Sequence, residues 1–229
     1  MKISGFVILI LFSINNTGIC QTRLSFEFSG GIPYNLPAYI NIHQNGFNDL
    51  KISNAKFYSE PFDLPPYWDW RFSLNNKNSI YELEAIHHKL YLKNKPDEIA
   101  RFSISHGFNM FFINYGKIDD LHVNSKDMNT NFIYKLGIGA VFAHPETNIR
   151  GYSFEDSGDF LSTNYYLCGP AVNLSLGKRW YVLKRLYFNT EIKFTSAYVK
   201  IPIAQGHATV FTSTIQFIAG LGFDFISKE

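Results

Sequence analysis

The chain has 229 residues, 46% of them apolar, 17% aromatic and only 17% charged, with a formal net charge of +2. That composition excludes a disordered chain and a basic nucleic-acid binder, and so small a net charge selects no acidic partner. The ring surface must instead be buried or set against lipid.

Residues 1–20 read as a secretory signal. Lys2 gives a basic start, residues 6–14 an apolar run, and Gly18 and Cys20 the small residues ahead of cleavage before Gln21. The run is far shorter than the roughly 20 residues that span a bilayer. Ile19 is bulky where a lipoprotein signal prefers a small residue before its cysteine. Removal of the segment leaves Cys168 as the only thiol, so no intramolecular disulfide forms. Residues 21–229 then read as one domain, stabilised by a large core or by a sheet that closes on itself.

Beyond residue 21 the pattern has period 2, the mark of strands with two chemically different faces. Residues 23–31 alternate Arg23, Ser25, Glu27 and Ser29 with Leu24, Phe26 and Phe28, and residues 67–74 set Tyr67, Asp69, Arg71 and Ser73 against Trp68, Trp70, Phe72 and Leu74. Residues 79–92 form a third segment. In the fourth, 101–109, Arg101, Ser103, Ser105, Gly107 and Asn109 oppose Phe102, Ile104, His106 and Phe108. Segments 132–144 and 163–177 follow. Residues 187–199 oppose Asn189, Glu191, Lys193 and Thr195 to Phe188, Ile192 and Phe194, and 211–225 oppose Thr212, Thr214, Gln216 and Asp224 to Phe211, Ile215, Phe217, Leu221 and Phe223.

Eight strands of about 9 to 16 residues are long enough to cross a membrane when tilted. An even count, aromatic residues on one face and small polar or charged residues on the other predict an all-β fold: a single eight-stranded antiparallel transmembrane β-barrel, up-and-down, with a filled polar interior. A soluble lipocalin-like barrel is the alternative, and it would reverse the faces. Eight strands leave no room for a wide pore. The membrane reading implies the bacterial outer membrane as location, an outer-membrane lipid as partner, no nucleic acid, and a monomer. With the N-terminus on the periplasmic side, 32–66, 93–100, 145–162 and 202–207 are outer loops, and 75–78, 116–131 and 178–184 are inner turns.

The unusual polar residues converge at the outer end. Tyr67, Asp69 and Arg71 open the second strand there; His87, Lys89 and Tyr91 close the third; Ser105, His106, Gly107 and Asn109 lie in the upper fourth; His144, Pro145, Glu146 and Arg150 follow the fifth; and Gly169, Pro170 and Ala171 descend the sixth. A structural account exists for many of them. Arg71 and Lys89 with Glu27, Asp69 and Glu191 suit the paired charges that a dry interior requires. His43, His122 and His207 fall on loops or turns as solvated side chains, and Cys168 is a small apolar residue near the rim. The chemical account makes His87, His106, His144 and Glu146 a site for a first-row divalent ion, or an imidazole beside Glu146 a general acid or base.

The stretches PFDLPPYWDWRFS, ELEAIHHKLYL, FSISHGFNMFFIN, LGIGAVFAHPE and CGPAVNLSLG resemble, in order and spacing, the lipid A oxidase-like outer-membrane barrels over roughly residues 57–225. Matching positions are Pro65, Pro66, Tyr67, Arg71, Glu84, His87, Lys89, Tyr91, Gly107, Asn109, Asn114, Gly137, Gly139, Pro145, Gly169, Pro170, Ala171 and Glu191. The pattern departs at His88, His106, His144 and Glu146. The resemblance implies an eight-stranded barrel in which molecular oxygen oxidises the proximal glucosamine of lipid A to an aminogluconate unit. Under it, Arg71 and Lys89 bind the sugar phosphate or hydroxyls, with Tyr67, Tyr91 and Arg150 as further substrate contacts. His87 takes the proton of the anomeric hydroxyl, and Glu84 or Asn109 orients His87. Glu84 has the opposite parity to His87, so a bulge is required between them. The two-electron step needs an acceptor, and no flavin or nucleotide motif supplies one; the resemblance implies molecular oxygen, and a divalent metal at His106, His144 and Glu146 is the accompanying expectation for an oxidase. A non-enzymatic structural or ligand-binding barrel competes with this reading. A deacylase or acyltransferase built on Ser105 ranks behind both, because no acid stands at suitable spacing.

Overall fold

The computed structural model describes residues 22–76, 78–120, 130–155 and 165–227; the signal segment and His122 lie outside them. The described strands are, in chain order, β1 (Thr22–Asn35), β2 (Ala38–Gln44), β3 (Leu50–Ala55), β4 (Phe57–Tyr58), β5 (Trp68–Asn76), β6 (Ser79–His87), β7 (Leu90–Leu92), β8 (Ile99–Ile104), β9 (Phe108–Asp120), β10 (Thr130–Ala143), β11 (Glu146–Ile149), β12 (Tyr152–Phe154), β13 (Tyr166–Tyr181), β14 (Leu186–Ile203) and β15 (Gly206–Ser227). Among the described residues no helix is long and apolar enough to cross a membrane. The crossing is made by strands.

Eight of these strands pair antiparallel in the order β1-β5-β6-β9-β10-β13-β14-β15, and β15 pairs back onto β1 from Arg23↔Ser227 to Asn35↔Thr214. The sheet closes, so the wall has no unpaired edge in the bilayer. Its outer surface is apolar: Phe28, Phe72, Leu83, Ile113, Leu136, Ile138, Leu174, Ile192, Phe217 and Leu221 are all exposed. Its lumen is polar and full. Arg71, 1% exposed, donates to Glu27 at 2.7 Å, to Glu84 at 2.7 Å and to Glu191 at 3.0 Å, and also pairs with Asp69. Lys135 reaches Glu82 and Glu191, and Lys193 reaches Asp69, Glu84 and Glu191. A carboxylate in a dry interior is tolerated only when paired and hydrogen-bonded, which these pairs achieve. An apolar exterior over a polar, closed, even-stranded barrel is the architecture of a bacterial outer-membrane protein.

The strand boundaries differ from the alternation in two places. Segment 79–92 is two strands: β6 leaves the wall at His87, and β7 belongs elsewhere. Segment 101–109 is not the fourth wall strand; that strand is β9, and residues 101–104 lie in β8, outside the wall. Both alternate with period 2, so the period could not separate them. Their faces do: Phe108, Met110 and Phe112 point inward, and Asn109 shares the outward parity of Phe111 and Ile113. At the inner end, residues 116–120 and 130–131 of the supposed long turn are strand.

The outer loops are largely folded. β14 and β15 run on above the wall and pair with β2, which pairs with β3. A second sheet, β12-β11-β8-β7-β4, packs against this extension. The two form a cap with an apolar filling, in which Ile40, Ile42, Val199, Ile201, Ala208 and Val210 meet Phe57, Leu90, Leu92, Ile99, Phe102 and Ile104. That core is continuous with Ile86, Phe108, Met110, Phe112 and Val141 at the top of the lumen.

Strand β14 records the transition. Its inward residues are Asn189, Glu191, Lys193 and Thr195, then Ala197, Val199, Ile201 and Ile203. Its outward residues include Phe188, Ile192, Phe194 and Tyr198, with Thr190 and Ser196 between them, and then Lys200 and Pro202. The strand keeps one parity while the chemistry of its two faces exchanges between Thr195 and Lys200. β15 does the same around Phe211, which pairs with Tyr198. The exchange marks where hydrocarbon gives way to water on the outside, with Tyr198 at the level where aromatic girdles sit.

Candidate functional site

Three connections carry the chain from the wall into the second cap sheet or back: 88–89 between β6 and β7, 105–107 between β8 and β9, and 144–145 between β10 and β11. Backbone bonds tie them together, from Phe108 N–H to the His88 carbonyl at 2.7 Å and from His144 N–H to the Gly107 carbonyl at 3.1 Å. Gly107 has φ +145°, and the Asn109 amide lies 2.7 Å from where a Cβ would stand, so only glycine fits this crossing without strain. The junction gathers five polar ring or acid side chains because three crossings share one side of the barrel.

His106, His144 and Glu146 form its open part. Their ligand atoms all lie within 4.8 Å of one another. His106 Nδ1 is 2.8 Å from Glu146 Oε1, and the His106 side chain is 62% exposed. The His106 and His144 ring centroids are 5.1 Å apart, and His144 meets the edge of Tyr165 at 5.7 Å. The Tyr165 hydroxyl donates to the His106 carbonyl at 2.6 Å. Glu146 Oε2 accepts from Ser105 at 2.6 Å, from Ser103 at 3.3 Å and from Arg101. Burial alone would raise this carboxyl, but the Ser105 hydrogen bond and the Arg101 and His106 charges outweigh it and hold the pKa below the ordinary glutamate value.

His87 and Asn109 lie beside this group and are enclosed. His87 stacks on Trp68 with centroids 5.4 Å apart, and its Nδ1 is 2.8 Å from Asn109 Oδ1. An amide oxygen only accepts, so this contact favours a hydrogen on Nδ1. Nε2 is buried with no hydrogen-bond partner, and the Pro65 carbonyl lies close to the ring. His88 turns the other way: its Nε2 is 3.0 Å from Asn35 Oδ1, and burial depresses its pKa to about 3. Lys89 donates to the Asp63 carbonyl at 3.0 Å. It thus pins the segment before β5, from which Phe62 and Leu64 project, 77% and 90% exposed.

The remaining expected residues lie elsewhere. Glu84 does not join His87; its parity turns it into the lumen, where Arg71, Lys193, Asn114 and Asn173 surround it. No bulge brings the two together. Arg71 is enclosed by carboxylates and offers no donor to a lipid phosphate. Tyr67 is buried against Gln216, its hydroxyl donating at 2.9 Å. Tyr91 lies in the cap, stacked on Tyr58 at 5.1 Å. Arg150 sits in the turn between β11 and β12, over the Phe47 ring and donating to the Asn48 carbonyl. His43 and His207 are paired across β2 and β15 with rings 5.3 Å apart, not on loops. Alternation alone did not single out Arg101, Ser103 and Tyr165, which the fold places around Glu146 and His106. Arg101, two residues before Ser103 in a strand and on the same face, was the available signal.

No family model matches the chain, and no curated protein does. Among solved structures the chain is similar to Neisserial surface protein A, 8% identical over 89% of this chain and 97% of that one, with TM-score 0.40. It is similar to the outer membrane protein OprG from Pseudomonas aeruginosa, 13% identical over 91% and 96%, with TM-score 0.44. Ail, the attachment invasion locus protein of Yersinia pestis, is 8% identical over 89% and 99%, with TM-score 0.34. Scores this low add nothing to the assignment, which rests on the strand pairing and the distribution of polar and apolar surface described above.

Proposed function

We propose that this outer-membrane barrel is a lipid A-modifying enzyme that meets the sugar headgroup from the side, at the junction of wall and cap. The observation that carries the reading is position. His106, His144 and Glu146 lie where β8–β9 and β10–β11 pass between wall and cap, directly beyond wall strands with an apolar outer face, and His106 is exposed; in this reading the junction meets the headgroup sugars rather than the acyl chains. The likeness of residues 57–225 to lipid A oxidase-like barrels supports an oxygen-dependent oxidation of the proximal glucosamine. In that reaction the anomeric carbon gives up a hydride equivalent and its hydroxyl a proton. Dioxygen accepts the electron pair, and water opens the resulting lactone, for a net gain of one oxygen atom.

In this reading the proton goes to an imidazole. His87 is held by Asn109 and enclosed, so the segment 61–66 must move aside for a sugar to reach it. His144 and His106 need no such motion. Arg71 and Glu84 serve the lumen and take no part in binding. The test is mass spectrometry of lipid A from a lipid A-producing host expressing the chain, with and without oxygen, beside His87→Ala and His144→Ala. An oxygen-dependent gain of one oxygen atom, lost in the variants, is expected. Unmodified lipid A from a folded wild-type barrel would replace this reading with a non-enzymatic binding or structural barrel.

A further inference from the structure

The geometry points to a resident metal centre: His106, His144 and Glu146 hold a first-row divalent transition-metal ion. Two imidazoles and one carboxylate are the donor set that such ions prefer, whereas calcium and magnesium take oxygen donors. The three donors come from two crossings of the barrel wall, and their ligand atoms already lie within 4.8 Å of one another. Metal–nitrogen and metal–oxygen bonds of about 2.0–2.2 Å ask for a small contraction. The exposed His106 ring supplies it by a side-chain rotation.

The surroundings fit the same conclusion. Ser103, Ser105 and Arg101 occupy Glu146 Oε2, which turns Oε1 toward His106; outer-shell donors of this kind orient a ligating carboxylate. Tyr165 fixes the backbone of His106 through its carbonyl. Three protein donors leave further coordination positions for oxygen, water or a sugar hydroxyl, the arrangement of a catalytic rather than a structural ion. Binding of the ion stands on these residues alone; its use in lipid oxidation rests on the reading above.

The test uses the full chain in detergent, stripped with a chelator and then loaded with Co(II) alone or Zn(II) alone. One ion per chain is expected, with visible Co(II) ligand-field absorption. Affinity should fall at least about tenfold in Glu146→Gln and in His144→Ala, and about tenfold in Ser105→Ala, which removes a hydroxyl that touches both Glu146 and His106 but is not itself a ligand. His43→Ala, a histidine of the distant cap, should bind as the wild type does. The heat-dependent electrophoretic shift of a closed barrel establishes that each variant is folded. No bound ion, or an ion retained equally by a folded Glu146→Gln and His144→Ala, would overturn the inference. A stoichiometric ion on a chain that leaves lipid A unmodified upholds the centre and removes the lipid reading; oxidised lipid A made by an ion-free chain does the reverse.

Discussion

Two strands, β14 and β15, run through both wall and cap and obey opposite rules in each. In the lower part of β14, above the buried Tyr187, the inward side chains are Asn189, Glu191, Lys193 and Thr195; in the upper part they are Ala197, Val199, Ile201 and Ile203. Lipid on the outside forces the polar groups of the wall inward, where they neutralise one another, whereas water on the outside of the cap lets it adopt the ordinary apolar core of a soluble sandwich. One backbone, never changing register, thus serves two solvents. The histidine-rich junction lies at the seam between them, with His87 and His88 enclosed and the His106 ring exposed.

The largest effect should come from the wall. Arg71→Ala leaves Glu27, Asp69, Glu84 and Glu191 short of their shared cation, and should cost roughly 5 kcal/mol or more, read as loss of folded barrel in urea titrations in detergent. The cap should answer to volume instead of charge. Phe102→Ala, in a site 2% exposed, should cost about 4 kcal/mol, and amide exchange should rise in β7, β8 and β11 while the wall stays protected. Equal loss of protection in wall and cap would show a single cooperative unit.

The seam itself should respond to pH. His88 stays neutral in the fold until about pH 3, while in the unfolded chain it takes a proton below about pH 6.5. The unfolded state therefore binds more protons between those values, and stability is full above about pH 6.5 and falls as pH drops, by roughly 3 kcal/mol down to about pH 4. His88→Gln should flatten that part of the curve, measured by unfolding midpoints against pH. The smallest effect expected is for Gly107→Ala, about 1–3 kcal/mol for a forced backbone conformation, together with displacement of Asn109. It should show as a change in the His87 ring-proton resonances with the barrel still closed.

Much of the wall was legible because its alternation is long and its outward residues are aromatic. The cap was not, for a physical reason: β8 and β9 carry the same period 2, and only the identity of the inward residues tells a cap strand from a wall strand. The exchange at Ala197 and Lys200 was visible in the chain, yet a continuous alternation draws the eye past it. The convergence of His106, His144 and Glu146 followed from topology, since each flanks a crossing at one end. The enclosure of Arg71 by Glu27, Asp69 and Glu191 was readable as a lumen charge network; that Glu84 joins it and Lys89 stays outside was not, because this depends on barrel tilt and on which neighbours carry countercharge.

The most direct measurement is a scan of single spin labels in a Cys168→Ser background, at positions 192, 194, 198, 200 and 202 of β14 and at 106 and 165 of the junction, comparing collisions with oxygen and with a water-soluble nickel complex in bilayers. The account predicts oxygen-dominated accessibility through position 194, a crossover near 198, and water-dominated accessibility at 200 and 202, with 106 and 165 close to the crossover. Oxygen-dominated accessibility persisting through 202, or labels at 106 and 165 deep in either phase, would contradict the placement of this junction at the headgroup layer.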